Sequence, residues 1–252
     1  MNHTFKALLF CFLFYPFFMC ADSLKIDVEQ ASINLPYWPA KKAHYGAVLM
    51  INGESTSSTL LNQLANQLSR IGWSVVAINM DQQAAIPWIA QIPEVIRTLR
   101  QDHNKRIVMI HYGEHLNQTL EYFNKPQSKM INGLVMLSAF AQTDTFVDYN
   151  IRFPLLDILG QFDYEFIHDQ RNLRARDFRR YRYSSIEMPG ANHDYEYSKK
   201  LLFAYIHGWM SKLPEFKPQR APISVSYIEA IPRFIGESFI VSVNLSGLNK
   251  QI

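Results

Sequence analysis

Between Ala47 and Trp209, short continuous apolar runs alternate with longer segments whose apolar residues recur every three or four positions. Ala47-Val48-Leu49-Met50-Ile51 is the clearest of the runs. A strand that is apolar on both faces has no side to turn to water, so it belongs in the middle of a parallel sheet covered by helices. Asn52-Gly53-Glu54-Ser55 then turns the chain, and Leu60, Leu61, Leu64, Ala65, Leu68 and Ile71 mark an amphipathic helix that ends at Gly72. The same reading predicts strands at 74–79, 106–110, 133–137, 155–159 and 183–187. It predicts helices at 93–101, with proline in the first turn, and at 116–123, 169–181 and 198–209. This alternation implies an α/β fold, a mostly parallel sheet with helices on both faces. The short stretch between Leu137 and Leu155 leaves room for a minimal lid or none.

The ends of the chain read differently. Lys6 precedes an apolar run from Ala7 to Met19 that is too short to span a bilayer comfortably, and small residues follow at Ala21 to Ser23. That is the pattern of a signal peptide over residues 1–21, and it predicts an exported, periplasmic protein with no transmembrane helix in the mature chain. The alternative is a lipoprotein acylated at Cys20, against which the bulky Phe17-Phe18-Met19 counts. Cys11 and Cys20 are the only cysteines, so removal of this segment leaves neither a disulfide nor a thiol nucleophile. The α/β domain is expected over 22–212. Residues 213–252 read as a proline- and basic-rich linker followed by strand-like segments at 223–228 and 238–245.

Charge narrows the picture only locally. A net charge of +3 over 252 residues is too mild to imply nucleic acid, and no nucleic-acid motif accompanies it. Arg171, Arg174, Arg176, Arg179, Arg180 and Arg182 form the one strong bias. They read either as the solvated face of a helix or as a contact for an anionic partner such as lipid headgroups or envelope glycans.

The candidate chemistry lies in turns that follow strands. Arg106 to Ile110 runs into His111-Tyr112-Gly113-Glu114-His115, Leu155 to Leu159 into Gly160-Gln161-Phe162-Asp163, and Tyr183 to Glu187 into Gly190-Ala191-Asn192-His193. His193 is the candidate general base and Asp163 the acid that would orient it. Gly53, Glu54, Ser55, Tyr112, Gly113 and Glu114 are the candidate binding residues around the first turn. His111 and His115 with Glu114 also spell H-x-x-E-H, a zinc-peptidase pattern that needs both histidines on one helix face. A strand that ends at Ile110, directly before His111, and a glycine between the histidines argue against that, so no metal and no cofactor is assigned.

From Ala47 to Trp209 the chain resembles an α/β-hydrolase. The resemblance is carried by Gly72-Trp73, the Pro154 to Gly160 run, the segment ending at His193, and Gly208-Trp209. It is similar in particular to an exported bacterial family of α/β-hydrolase-like proteins of unassigned function, in which glycine commonly occupies the elbow. The resemblance implies a nucleophile elbow at Gly113, followed in chain order by Asp163 and His193. Glycine has no attacking atom. Ser55 and Ser138 carry hydroxyls nearby, but neither occupies the elbow. Two functions are compatible with these residues. The first is a non-catalytic binding or envelope-associated protein whose pocket, for an unknown small-molecule or envelope ligand, lies over Gly53, Gly113, Asp163 and His193. The alternative is a weak or atypical acyl hydrolase with a displaced nucleophile or a water activated by His193.

Overall fold

The computed structural model describes residues 21–42, 44–54, 58–80, 85–142, 149–178 and 182–216. The chain enters the sheet earlier than the apolar runs suggest. Strands β1 (Asp22–Val28) and β2 (Ala31–Trp38) form an antiparallel hairpin in which Val28 faces Ala31. Its two-residue turn places Glu29 at φ 47° and Gln30 at φ 71°. Two successive left-handed residues are what a tight hairpin turn demands, a position usually given to Asn or Gly. Glutamate and glutamine therefore conceal the turn, and the strands bury little beyond Ile26, Val28, Leu35 and Trp38.

The rest follows strand-helix alternation: β3 (Gly46–Asn52), α1 (Ser58–Ile71), β4 (Trp73–Asn79), α2 (Trp88–Gln101), β5 (Ile107–Tyr112), α3 (Leu116–Asn124), β6 (Gly133–Leu137), β7 (Leu155–Phe162), α4 (Glu165–Asp177), β8 (Tyr183–Asn192) and α5 (Lys199–Ser211). These strands make one eight-stranded sheet in the order β1-β2-β4-β3-β5-β6-β7-β8. β2 runs antiparallel to β4, and all pairs from β4 to β8 are parallel. α2 and α3 pack on one face with Ile92, Val95, Leu99, Leu116 and Leu120. α1 and α5 pack on the other with Leu61, Leu64, Leu68, Leu202 and Ile206. The expected class, a mostly parallel sheet covered on both sides, is the one observed.

α2 begins at Trp88 rather than at Pro93, because Pro87, held extended at ψ 137°, starts the helix and Trp88 is buried against the sheet. α4 begins at Glu165 rather than at Asp169. At the far end Leu213 is buried, its carbonyl accepts from Arg106 Nε at 2.8 Å, and Phe216 N donates to Lys105 O at 2.7 Å. The packed body thus runs through Phe216. Residues 1–20 of the expected signal segment, with Cys20, residues 143–148 between β6 and β7, and the strand-like segments at 223–228 and 238–245 lie outside the described residues. Among the described residues no helix is long and apolar enough to cross a membrane.

The arginine cluster is not one surface. Ile167, Gln170 and Arg174 line the inner stripe of α4, so Arg174 is wholly buried. Its guanidinium grips Asp157 of β7 through Nε at 2.7 Å and Nη2 at 3.2 Å, and Tyr183 donates to the same carboxylate at 2.8 Å. A cation placed there has no access to an external anion, which removes Arg174 from the proposed anionic contact. Arg171 pairs with Glu187 at 2.9 Å and Arg176 with Asp177 at 3.0 Å. Arg179 and Arg180 lie outside the described residues.

Candidate functional site

The strand order changes direction between β3 and β5, since the chain leaves β3 toward β4 and returns to β5 on the other side. Loops leaving the carboxyl ends of such a pair diverge and open a crevice there. Glu54 follows β3 and Gly113 follows β5 at this point, Ser138 follows β6, Asp163 follows β7 and His193 follows β8. The register thus gathers residues from distant parts of the sequence at the carboxyl ends of the parallel strands.

At the end of β5 the chain turns with Gly113 at φ 78°. The turn is tied to the β6 loop by Phe140 N donating to Gly113 O at 3.0 Å. On its other side Gly53 N donates to Tyr112 O at 2.8 Å. A Cβ on Gly53 would lie 2.6 Å from Glu114 O and 2.7 Å from Glu114 N, so only glycine lets the β3 loop come this close to the elbow. That approach carries the Glu54 side chain over Gly113. A Cβ on Gly113 would sit 2.5 Å from Glu54 Cγ and 2.8 Å from Glu54 Oε1. Glu54 therefore fills the space into which a side chain at the elbow would project.

Asp163 and His193 meet as the sequence suggested. His193 Nδ1 lies 2.7 Å from Asp163 Oδ1, and its Nε2 lies 3.1 Å from Glu54 Oε1. The imidazole is clamped between two carboxylates.

This architecture has close counterparts among solved structures. The chain is similar to the esterase domain from a Rhodothermus marinus protein, with TM-score 0.60 and 12% identity over 77% of this chain and 99% of that one. It is similar to XC6422 from Xanthomonas campestris, described as an a/b serine hydrolase without lid, with TM-score 0.58 and 15% identity over 79% and 97% of the two chains. Est1E from Butyrivibrio proteoclasticus gives TM-score 0.57 and 14% identity over 75% and 97%. The chain has the α/β-hydrolase fold. No protein-family model and no curated protein sequence matches it.

In an α/β-hydrolase fold the histidine Nε2 addresses the nucleophile's hydroxyl and an acid holds Nδ1. Here Nδ1 keeps its acid, while Nε2 faces a second carboxylate. Burial alone would lower the His193 pKa, but the bonds to Asp163 and Glu54 outweigh it and raise the value from 6.5 to about 9. Asp163 moves the opposite way, since its bonds to His193 and Ser138 overcome the upward push of burial and hold it below the usual carboxylate value. At neutral pH the ring is therefore an imidazolium with both nitrogens donating, and it has no lone pair with which to accept a proton.

This pairing has a pH signature. The folded-state value lies above that of an unconstrained imidazole, so the stabilisation is full below about pH 6.5 and is lost as pH rises through about 9. A shift of this size corresponds to about 3 kcal/mol at most. The thermal midpoint of the wild type should fall between pH 6.5 and 9.5 by more than that of His193→Gln, and differential scanning calorimetry at matched ionic strength measures the difference.

Other residues support the site from below. Ser138 is fully buried, and its hydroxyl donates to Asp163 Oδ2 and lies 2.7 Å from Tyr195 OH. Tyr195 in turn reaches Ile158 O at 3.1 Å. Ser138 thus braces the acid. Tyr164 donates its backbone N–H to Asp163 Oδ1 at 2.9 Å and sets its ring 4.9 Å from that of His193. Neither Tyr164 nor Tyr195 was singled out in the sequence, although each lies within two residues of the acid or the histidine. Tyr112 turns its side chain into the core, and its hydroxyl donates to Asp194 Oδ1 at 3.3 Å. Glu54 N donates to its own neighbour Asn52 Oδ1 at 3.2 Å, so an amide in the loop that ordinarily helps hold an oxyanion is already engaged. Ser55 lies outside the described residues.

The histidines of the H-x-x-E-H stretch serve the turn. His111 lies in β5 one residue before its end, buried, with Nε2 2.7 Å from Glu114 O and Nδ1 2.9 Å from Thr119 Oγ1. A carbonyl only accepts, so Nε2 carries the proton and Nδ1 accepts from the threonine. Burial pulls the His111 pKa down to about 4, which keeps the ring neutral. His115 precedes α3 in a left-handed conformation at φ 66°. The two rings do not share a helix face, and His111 has spent one nitrogen on the turn and the other on Thr119 of α3. Glu114 holds the turn through its backbone and leaves its side chain half-exposed.

Proposed function

We propose that this is an exported, envelope-associated protein in which the hydrolase fold serves binding, without serine-hydrolase turnover. One observation carries the reading: the Glu54 carboxylate occupies the space of the missing elbow side chain and bonds to His193 Nε2 at 3.1 Å. Among the described residues, the elbow then offers no hydroxyl, His193 is no neutral base, and the Glu54 amide is engaged. Export rests on the apolar leader from Ala7 to Met19 and the small residues after it. With purified mature protein, a fluorophosphonate probe should give no labelling and p-nitrophenyl esters no turnover that depends on His193. Hydrolysis abolished by His193→Ala would overturn the binding reading.

The same contact supports a second reading, an atypical acyl hydrolase in which Glu54 is the displaced nucleophile and the imidazolium protonates the leaving group. In that case turnover would be present and lost in both Glu54→Gln and His193→Ala. Cell fractionation of the full-length protein tests the location separately, with the processed form expected in the periplasmic or membrane fraction.

A further inference from the structure

We propose that the loops around His193 form a docking surface for a partner protein that presents arginine and lysine side chains, a proposal that rests on the binding reading above. The observation behind it is a set of exposed aromatic rings on the two loops that carry Asp163 and His193. Phe162, Tyr164, Phe166 and Tyr197 are 69%, 56%, 46% and 89% exposed. An exposed ring by itself needs no explanation, but neighbouring ones mark interaction surfaces. These four belong to two loops that meet at His193, and two of them touch. Phe162 pairs with Asn192 across β7 and β8, and Tyr164 leans on His193. Tyr164 and Phe166 stack with centroids 5.8 Å apart and planes within 7°, and Phe166 meets Phe140 edge-on at 5.0 Å. Tyr197 rides on the turn that carries His193, which is fixed by Glu196 N donating to Asn192 Oδ1 and Ser198 N donating to Tyr195 O.

Charge identifies the occupant. Exposed carboxylates flank the exposed rings: Glu165 lies between Tyr164 and Phe166 with Asp169 nearby, and Asp194 and Glu196 precede Tyr197, whereas Asp163 and Tyr195 are turned inward. Neither 161–170 nor 192–198 contains a lysine or arginine, in a chain whose net charge is +3. The next basic residues are Arg171, whose guanidinium is paired with Glu187 at 2.9 Å, Lys199, which lies beside Gln63 and Gln67 of α1, and Lys200. A small-molecule site encloses most of its ligand, whereas rings exposed to this degree leave the second wall to the partner. A planar guanidinium stacks on such rings and pairs with the carboxylates beside them, which favours arginine over lysine.

The test uses full-length mature protein and a fluorescent hexa-arginine peptide, followed by anisotropy at low and high salt, with hexalysine and hexaglutamate alongside. Hexa-arginine should bind more tightly than hexalysine, weaken with salt, and lose about fivefold or more in affinity in Tyr164→Ala with Phe166→Ala and in Glu165→Gln with Glu196→Gln. Tyr197→Ser, at a side chain that is almost wholly exposed, should weaken it without affecting the fold. Absence of hexa-arginine binding, or equal binding by wild type and the aromatic variants, overturns the docking surface. Ester turnover in a sample that still binds hexa-arginine overturns the non-catalytic reading and leaves the surface standing.

Discussion

Gly113→Ser alone is expected to remain unlabelled by a fluorophosphonate, whereas Gly113→Ser combined with Glu54→Ala becomes labelled to near stoichiometry. The single variant places its new Cβ 2.5 Å from Glu54 Cγ, at a backbone position with φ 78°, so the hydroxyl enters an occupied space. Its imidazole also stays clamped by Glu54 and Asp163, protonated at neutral pH. Shortening Glu54 empties the space, removes one of the two bonds that raise the His193 pKa, and frees Nε2 for the serine. A positioned general base is worth about 10² to 10⁴ in rate, so p-nitrophenyl acetate should be cleaved at least about 100-fold faster by the double variant than by the single one. Adding His193→Ala must abolish the gain. Equal labelling of single and double variants would show that Glu54 is not the obstacle.

The largest loss of stability is expected from Arg174→Ala. Asp157 and Arg174 are both fully buried and joined by two hydrogen bonds, with Tyr183 as a third partner to the carboxylate. Truncating the arginine strands a carboxylate without water, which costs about 3 to 5 kcal/mol. Against a total of about 5 to 15 kcal/mol for a domain, that leaves little reserve. Replacing both charges, with Asp157→Leu and Arg174→Met, should cost far less than Arg174→Ala alone, because no uncompensated ion remains. Urea unfolding of the three proteins measures this. A double variant as damaged as Arg174→Ala would mean that the loss comes from packing.

The parallel core was legible because its strands are largely apolar on both faces: every residue of β3, β5 and β6 is buried, and the sequence shows unbroken apolar runs at Ala47 to Ile51, Ile107 to Ile110 and Leu134 to Leu137. The β1-β2 hairpin was not, because its turn uses Glu29 and Gln30 in a conformation that their residue types do not announce. Asp163 and His193 were legible from chain order, since each follows a strand that the apolar pattern had already located. Glu54 was recognised as a loop residue near the elbow, but its contact with His193 spans 139 positions and depends on the close approach allowed by Gly53. Arg174 looked like surface charge because arginine rarely lies inside. Only the spacing Ile167, Gln170, Arg174 of the inner stripe points to its burial, and Asp157, hidden within an apolar strand, is the partner that permits it.

Two carboxylates hold His193 charged where a hydroxyl would ordinarily face it. Titration of the His193 ring by heteronuclear NMR tests this directly. The arrangement predicts a midpoint at about 9, both ring nitrogens protonated at pH 7, and a lower midpoint in Glu54→Gln. A midpoint at or below 6.5 in the wild type, unmoved by Glu54→Gln, would contradict it.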